Sequence, residues 1–492
     1  MSTLVHKART GTLWHGTSQV ALTLAGYVVA VILARGLGPV AFGVYGLIYS
    51  FLMAVELVTL LGIPGAVSRL TAEGLGESGA LRGTGLALII GLCGAAFALL
   101  WIIAPMLAVW LGVPGSGQLI RIAVIDVPCF GSYFLIAHVL NGRRDFVGQS
   151  IGTMLYAATK VVGTAALAMT TLTVAGALVV NILSSLVGLA FAILRSGWPR
   201  LACDRTMVRA IASLAIPVAL VNLGTQVLLN VDLWFVGGAG AGAAAGGKAA
   251  GYYVAAKNLA RIPNLVAFVM NAVLVPSIAH AAAAGDNDLS RRLAQGGMRF
   301  LALTLVPGCA LMATLAAPLL ALLFSPEYAA GADYLRLLVV ANGLLQTTCS
   351  TLITILVANR CQRDGAMVAL AAILPAVLLS AMLVHRLGAG GGAVAALVAT
   401  GAATLLAGSV TYRRIGAFID LRLLLTVLPL TAVVCVAASL MWQYGLPVII
   451  VLALSVVSFL LLAFATGLLS RGDLRILGTG DKRGKEGHRG TA

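Results

Sequence analysis

Apolar runs of about twenty residues or more, parted by short polar breaks, recur from one end of this chain to the other. A helix rises about 1.5 Å per residue, so each run can cross roughly 30 Å of hydrocarbon. Fourteen such stretches can be drawn, at 12–34, 40–63, 84–110, 118–140, 147–170, 174–195, 209–236, 250–280, 297–324, 332–358, 365–386, 390–412, 421–442 and 446–469. The pattern predicts an all-α, polytopic membrane protein of about fourteen transmembrane helices.

Composition removes the alternative of a soluble protein. Of 492 residues, 60% are apolar and 10% charged, against roughly 25% charged in soluble domains. Mean hydropathy is +1.02. A net charge of +16 would suggest nucleic acid in a soluble chain. Here the basic residues lie in short loops and the tail, so anionic membrane lipids are the expected partner and nucleic acid is not. The seven cysteines form no CxxC pair and fall mostly inside apolar runs. No disulfide, metal site or cofactor is expected.

Charge placement orients the helices. With the N-terminus in the cytoplasm, the inner loops hold Arg69, Arg82, Arg143, Arg144, Arg195, Arg200, Arg291, Arg292, Arg360, Arg413 and Arg414. The outer loops hold Arg35, Lys248, Arg386 and little else, with Arg121 and Arg336 at outer helix ends. That is the positive-inside asymmetry, and it puts both termini in the cytoplasm. The run after His6, Lys7 and Arg9 is too long for a signal peptide and reads as the first crossing. Residues 471–492 read as a disordered, basic cytoplasmic tail.

Two halves of the chain resemble each other. Ala104-Pro105-Met106-Leu107-Ala108 returns as Ala317-Pro318-Leu319-Leu320-Ala321, about 213 residues later. Gly43-Val44-Tyr45 faces Gly251-Tyr252-Tyr253, and Asn141-Gly142-Arg143-Arg144-Asp145 faces Asn359-Arg360-Cys361-Gln362-Arg363-Asp364. The expected organisation is an N-lobe of six helices (1–205), a pseudo-symmetric C-lobe of six (206–415), two extra helices (416–470) and the tail. Duplicated lobes are a transporter architecture, with the substrate site near the midplane between them.

The turn Leu33-Ala34-Arg35-Gly36-Leu37-Gly38-Pro39-Val40-Ala41-Phe42-Gly43-Val44-Tyr45 and the link Leu323-Phe324-Ser325-Pro326-Glu327-Tyr328 carry a family resemblance. So does Asp232, followed by a small-residue loop and Gly251-Tyr252-Tyr253. The chain resembles the O-antigen and exopolysaccharide flippases of the multidrug/oligosaccharidyl-lipid/polysaccharide (MOP) exporter superfamily, along most of residues 12–412. The resemblance implies a non-enzymatic flippase of the bacterial cytoplasmic membrane. It would carry a polyprenyl-diphosphate-linked oligosaccharide to the outer leaflet by alternating access, for surface polysaccharide biosynthesis. Polysaccharide polymerase machinery is a further partner of that reading.

Six ionisable residues fall at membrane depth: Glu56, Asp126, Lys160, Asp232, Lys257 and Arg261. A cation at the bilayer centre costs about 3 to 15 kcal/mol, so such residues face a polar interior or a partner. Lys257 and Arg261 are four residues apart and share one helix face. Arg261 and Lys160 fall near mid-membrane, one in each lobe, which makes them and Lys257 the candidates for holding a diphosphate. The blander reading has Lys257 snorkelling and Arg261 paired with a carboxylate. Glu56, Asp126 and Asp232 are candidates for proton coupling or for ion pairing, Glu56 with Arg261 and Asp232 with Lys257. Gln19, Asn222, Gln226, Asn230, Asn271, Asn342 and Gln346 serve either sugar or helix–helix contacts. Pro263, Pro276 and Pro307 interrupt helices.

Two rivals remain. A multidrug or cation antiporter shares the fold, and its cavity should favour carboxylates over Lys160 and Arg261. A membrane-embedded oligosaccharide polymerase or ligase needs a substantial outer loop and a catalytic constellation. The outer loops are short, and no catalytic residues are identified.

Overall fold

The computed structural model describes residues 2–60, 62–74, 79–198, 200–238, 245–416 and 421–468. The basic tail, residues 239–244 of the 237–250 loop, and the side chain of Asn222 lie outside them.

The described chain is helical throughout. The N-lobe comprises α1 (Ser2–Leu60), α2 (Ile63–Ala72), α3 (Ala80–Trp110), α4 (Gly117–Val124), α5 (Asp126–Gly142), α6 (Phe146–Met169) and α7 (Val174–Ser196). The C-lobe comprises α8 (Arg205–Gly238), α9 (Ala245–Ala260), α10 (Asn264–Ala283), α11 (Asn287–Thr314), α12 (Ala316–Leu323), a 3-10 turn (Pro326–Gly331) and α13 (Ala332–Leu338). It continues through a π-helical stretch (Val339–Gln346), α14 (Thr347–Ala358), α15 (Gln362–Ala371) and α16 (Ile373–Ile415). The added pair, α17 (Leu421–Gln443) and α18 (Val448–Ala465), packs on α11 and α12.

Polar residues between apolar runs start several helices. Asp145, Thr173 and Asp286 each accept a backbone N–H three residues on, which satisfies donors that a helix start leaves bare. Glycines make the sharp reversals. α1 breaks at Gly38 (φ 73°, ψ 172°) and α16 at Gly388 (φ 60°, ψ −143°), conformations that a side chain resists.

Among the described residues, ten helices are long and apolar enough to cross a membrane, or eleven with the bent stretch Lys248–Ala283. Two of them, Gly16–Leu60 and Gln362–Ile415, run to 45 and 54 residues, against about 20 for one crossing. The expected fourteen requires each of these to cross twice, at its glycine break, and α8 to cross once.

The duplication has a structural signature. Arg195 Nε donates to Asp145 at 2.8 Å, and Arg414 Nε to Asp364 at 2.8 Å, each across 50 residues. Arg144 (φ 61°) and Arg360 (φ 63°) occupy matching left-handed turns beside these pairs.

The lobes meet unevenly. α1 packs on α8 and α9, and α2 and α3 pack on α8. The tightest approaches cluster near Gly38. A Cβ on Gly251 would lie 1.9 Å from Pro39 O, and one on Gly237 would lie 2.6 Å from Leu111 O. At the opposite, arginine-rich end, α10, α11 and α14 build a separate C-lobe core around Ile278, Met298, Leu301 and Ile355. The closest backbone approaches between the lobes thus lie at the Gly38 end, while α2 and the start of α8 also meet at the arginine-rich end.

Candidate functional site

The six intramembrane charges form two clusters, one in each lobe. In the C-lobe, α9 presents Tyr253 and Lys257 four residues apart, toward Asp232 on α8. Lys257 Nζ donates to Asp232 Oδ1, and the Tyr253 hydroxyl donates to Oδ2 at 2.6 Å. Lys257 and Asp232 are 3% and 1% exposed, so this pair is sheltered from both water and lipid. Gly392 on α16 makes room for it: a Cβ there would lie 2.5 Å from Val236 and 3.3 Å from the Tyr253 hydroxyl. Desolvating two charges is tolerable because the carboxylate gains both donors.

Arg261 sits where the helix fails. Pro263 lacks an N–H and its ring collides with the preceding turn, so α9 ends at Ala260 and α10 restarts at Asn264. The Arg261 side chain turns back to α8, donating through Nη2 to Leu229 O at 3.1 Å and to Asn230 Oδ1 at 3.0 Å. Its Nε has no partner, and the residue is partly exposed. Tyr27 of α1 lies within Coulombic reach across the lobe boundary. Two cations and one carboxylate leave this cluster with a formal charge of +1.

The N-lobe cluster has the opposite balance. Lys160 on α6 donates to the Tyr49 hydroxyl at 2.7 Å and lies 4.6 Å and 5.6 Å from the ring centroids of Tyr49 and Tyr156. Such aromatic contact favours a desolvated cation. Glu56 and Asp126, 6% and 1% exposed, are the carboxylates within its Coulombic reach. Asn181 donates to Asp126 Oδ2, whereas Asp126 Oδ1 and Glu56 Oε1 have no partner. Two carboxylates and one ammonium make −1.

The structure thus joins Asp232 with Lys257, and Lys160 with Glu56 and Asp126. Arg261 stands between α8 and the lobe boundary. No ion pair links Glu56 to Arg261 among the described residues; Glu56 points into the N-lobe instead. The pattern does not single out Tyr49, Tyr156 and Asn181 in advance, and it names Tyr253 only within the Gly251-Tyr252-Tyr253 motif. One signal for them exists: a tyrosine stands four residues before each intramembrane lysine, at Tyr156–Lys160 and Tyr253–Lys257.

All six charges fall within residues 8–282, and that segment matches the sequence model of a family described as polysaccharide biosynthesis protein. The chain belongs to that family. Solved structures share its fold at low identity. A structure of the lipid II flippase MurJ in an inward closed conformation superposes with a TM-score of 0.77 at 13% identity, covering 93% of this chain and 100% of that one. An inward-facing multidrug resistance MATE family transporter of the MOP superfamily gives 0.69 at 16% identity, over 80% and 94%. A MOP superfamily transporter from Pyrococcus furiosus gives 0.60 at 15%, over 82% and 94%. No curated protein matches the chain. This polysaccharide biosynthesis protein is therefore a multi-pass membrane protein with the MOP transporter fold.

Proposed function

We propose that the protein flips a polyprenyl-diphosphate-linked oligosaccharide from the cytoplasmic to the outer leaflet of the bacterial inner membrane. The Gly38 end is the outer face, and the arginine-rich end, with both termini, is cytoplasmic. The observation that carries this reading is Arg261: a half-buried arginine in a helix break, its buried Nε unpartnered, beside an ion pair that leaves its cluster positive. A diphosphate meets such a guanidinium with charge-assisted bonds. Lys257 backs Arg261 electrostatically while bound to Asp232. Lys160 serves the N-lobe cluster and would meet the diphosphate only by leaving Tyr49. The extra carboxylate there suits coupling, since one proton shared by Glu56 and Asp126 balances the charge.

The test is binding. Purified protein in nanodiscs is titrated with a polyprenyl diphosphate and a polyprenyl monophosphate, followed by native mass spectrometry. The diphosphate should bind more tightly, and Arg261→Gln should weaken it about 10- to 100-fold, the worth of one or two charge-assisted bonds. Equal binding by wild type and Arg261→Gln would refute the assignment. A second reading, export of a cationic compound, draws on the two unpartnered carboxylate oxygens in the N-lobe. It predicts binding of a lipophilic cation that Asp126→Asn abolishes.

A further inference from the structure

The two family-like motifs, far apart in sequence, dock onto each other across the lobes. Arg35, in the turn between the first two crossings, donates through Nε to Leu323 O at 2.9 Å and through Nη2 to Leu322 O at 2.5 Å. Tyr328, in the link after α12, sends its hydroxyl back to Ala34 O at 3.0 Å. Each lobe thus contributes one side chain and receives it on main-chain carbonyls.

Those carbonyls are available for a local reason. Leu322 and Leu323 end α12, where their oxygens lack the usual helical partner, and Ala34 lies in the last turn before the Gly38 break, where its oxygen accepts the Tyr328 hydroxyl. A guanidinium at a helix C-terminus also meets the favourable end of its dipole. Beside these bonds the contact is aromatic and buried, although Arg35 itself is exposed. Phe42 lies 6.3 Å from Phe324 and 6.1 Å from Tyr328, centroid to centroid, and Tyr252 meets Tyr328 edge-on at 5.8 Å. Tyr328 is 0% exposed and Phe42 1%.

We infer that this interlock is the latch of the closed face. Arg35 and Tyr328 are positioning residues that hold the Gly38 end shut and must part whenever the lobes open there. Three hydrogen bonds and one aromatic plug form a seal strong enough to close, and few enough to break together. The fork geometry asks for arginine, because a lysine ammonium cannot span two successive carbonyls from a fixed plane. The inference rests on the alternating-access reading, yet it concerns lobe position alone, so it can be tested with no passenger present.

The experiment measures two distances. In a background with the seven native cysteines replaced, spin labels at Ser116→Cys and Ala330→Cys report the Gly38 end by pulsed electron resonance. A second pair, Glu73→Cys and Ala284→Cys, reports the arginine-rich end. Wild type should show one short distance at the Gly38 end. Tyr328→Phe, which keeps the ring and its packing, should raise the longer-distance population about fivefold, and Arg35→Ala about tenfold or more. The second pair should draw together in the same variants. Arg35→Lys should fall between wild type and Arg35→Ala. Asp333→Asn, which breaks an exposed ion pair with Arg336 near the same end, should change nothing. Unchanged distances in both Arg35→Ala and Tyr328→Phe would overturn the latch, as would an equal shift in Asp333→Asn. Failure of diphosphate binding, measured separately, would remove the passenger and leave the latch standing.

Discussion

Two lysines placed alike in sequence are held in opposite ways. Each follows a tyrosine by four residues, yet Lys160 rests on a tyrosine hydroxyl and two rings while Lys257 is bound to a carboxylate. The difference predicts their costs. Lys257→Met strands Asp232 as an uncompensated buried charge and should destabilise the protein by about 3–5 kcal/mol, whereas adding Asp232→Leu should recover much of the loss. Thermal unfolding in detergent decides it; a neutral Lys257→Met contradicts the buried pair. At this scale the sequence marked the buried charges and not whom they met. Six charges stand out in apolar helices because hydrocarbon tolerates so few. Their partners depend on which face each helix turns inward, and helices apolar all round carry no periodic mark of that face. Glu56 thus read equally well as a partner of Arg261 or as a coupling acid.

Elements show the same division between the legible and the hidden. Gly38-Pro39 and Pro263 announce breaks, and the chain breaks at both. The π-helical stretch Val339–Gln346 announces nothing, although Gly343 in it packs against Ala260 O and Pro263 beside Arg261. The helix starts at the arginine-rich end are a third case, since the sequence matches there were visible but the ion pairs were not. Burial opposes the charge of Asp145, but the Arg195 bond, the Gly148 N–H and the Arg195 charge outweigh it and hold the carboxyl below its ordinary range. A folded pKa below the unfolded one means that stabilisation is full above about pH 4 and fades as pH falls through the lowered value. Asp145→Asn should therefore melt lower than wild type at pH 7, by a small margin given the exposure of Arg195, and the gap should close toward pH 3. A gap independent of pH contradicts the ion pair.

For the whole molecule, two repeated lobes carry unequal charge. The N-lobe cluster is one carboxylate in excess and the C-lobe cluster one cation in excess, with the closest approaches between the lobes at the Gly38 end. On the function proposed above, this asymmetry would separate two tasks, a cationic grip for the diphosphate and a site for a balancing proton. The all-helical, multi-pass fold was legible from hydropathy, because long apolar runs follow from the bilayer as solvent. The inter-lobe contact at the Gly38 end was not, since glycine contacts and carbonyl acceptors leave no pattern in a chain with 57 glycines. The most direct measurement is flipping of a fluorescent polyprenyl-diphosphate oligosaccharide in proteoliposomes, with wild type beside Arg261→Ala and Lys160→Ala. Wild type should move the lipid to the opposite leaflet, and folded Arg261→Ala should lose at least about tenfold in rate. Arg261→Ala flipping at the wild-type rate would show that the passenger is held elsewhere, and the C-lobe charges would then be structural.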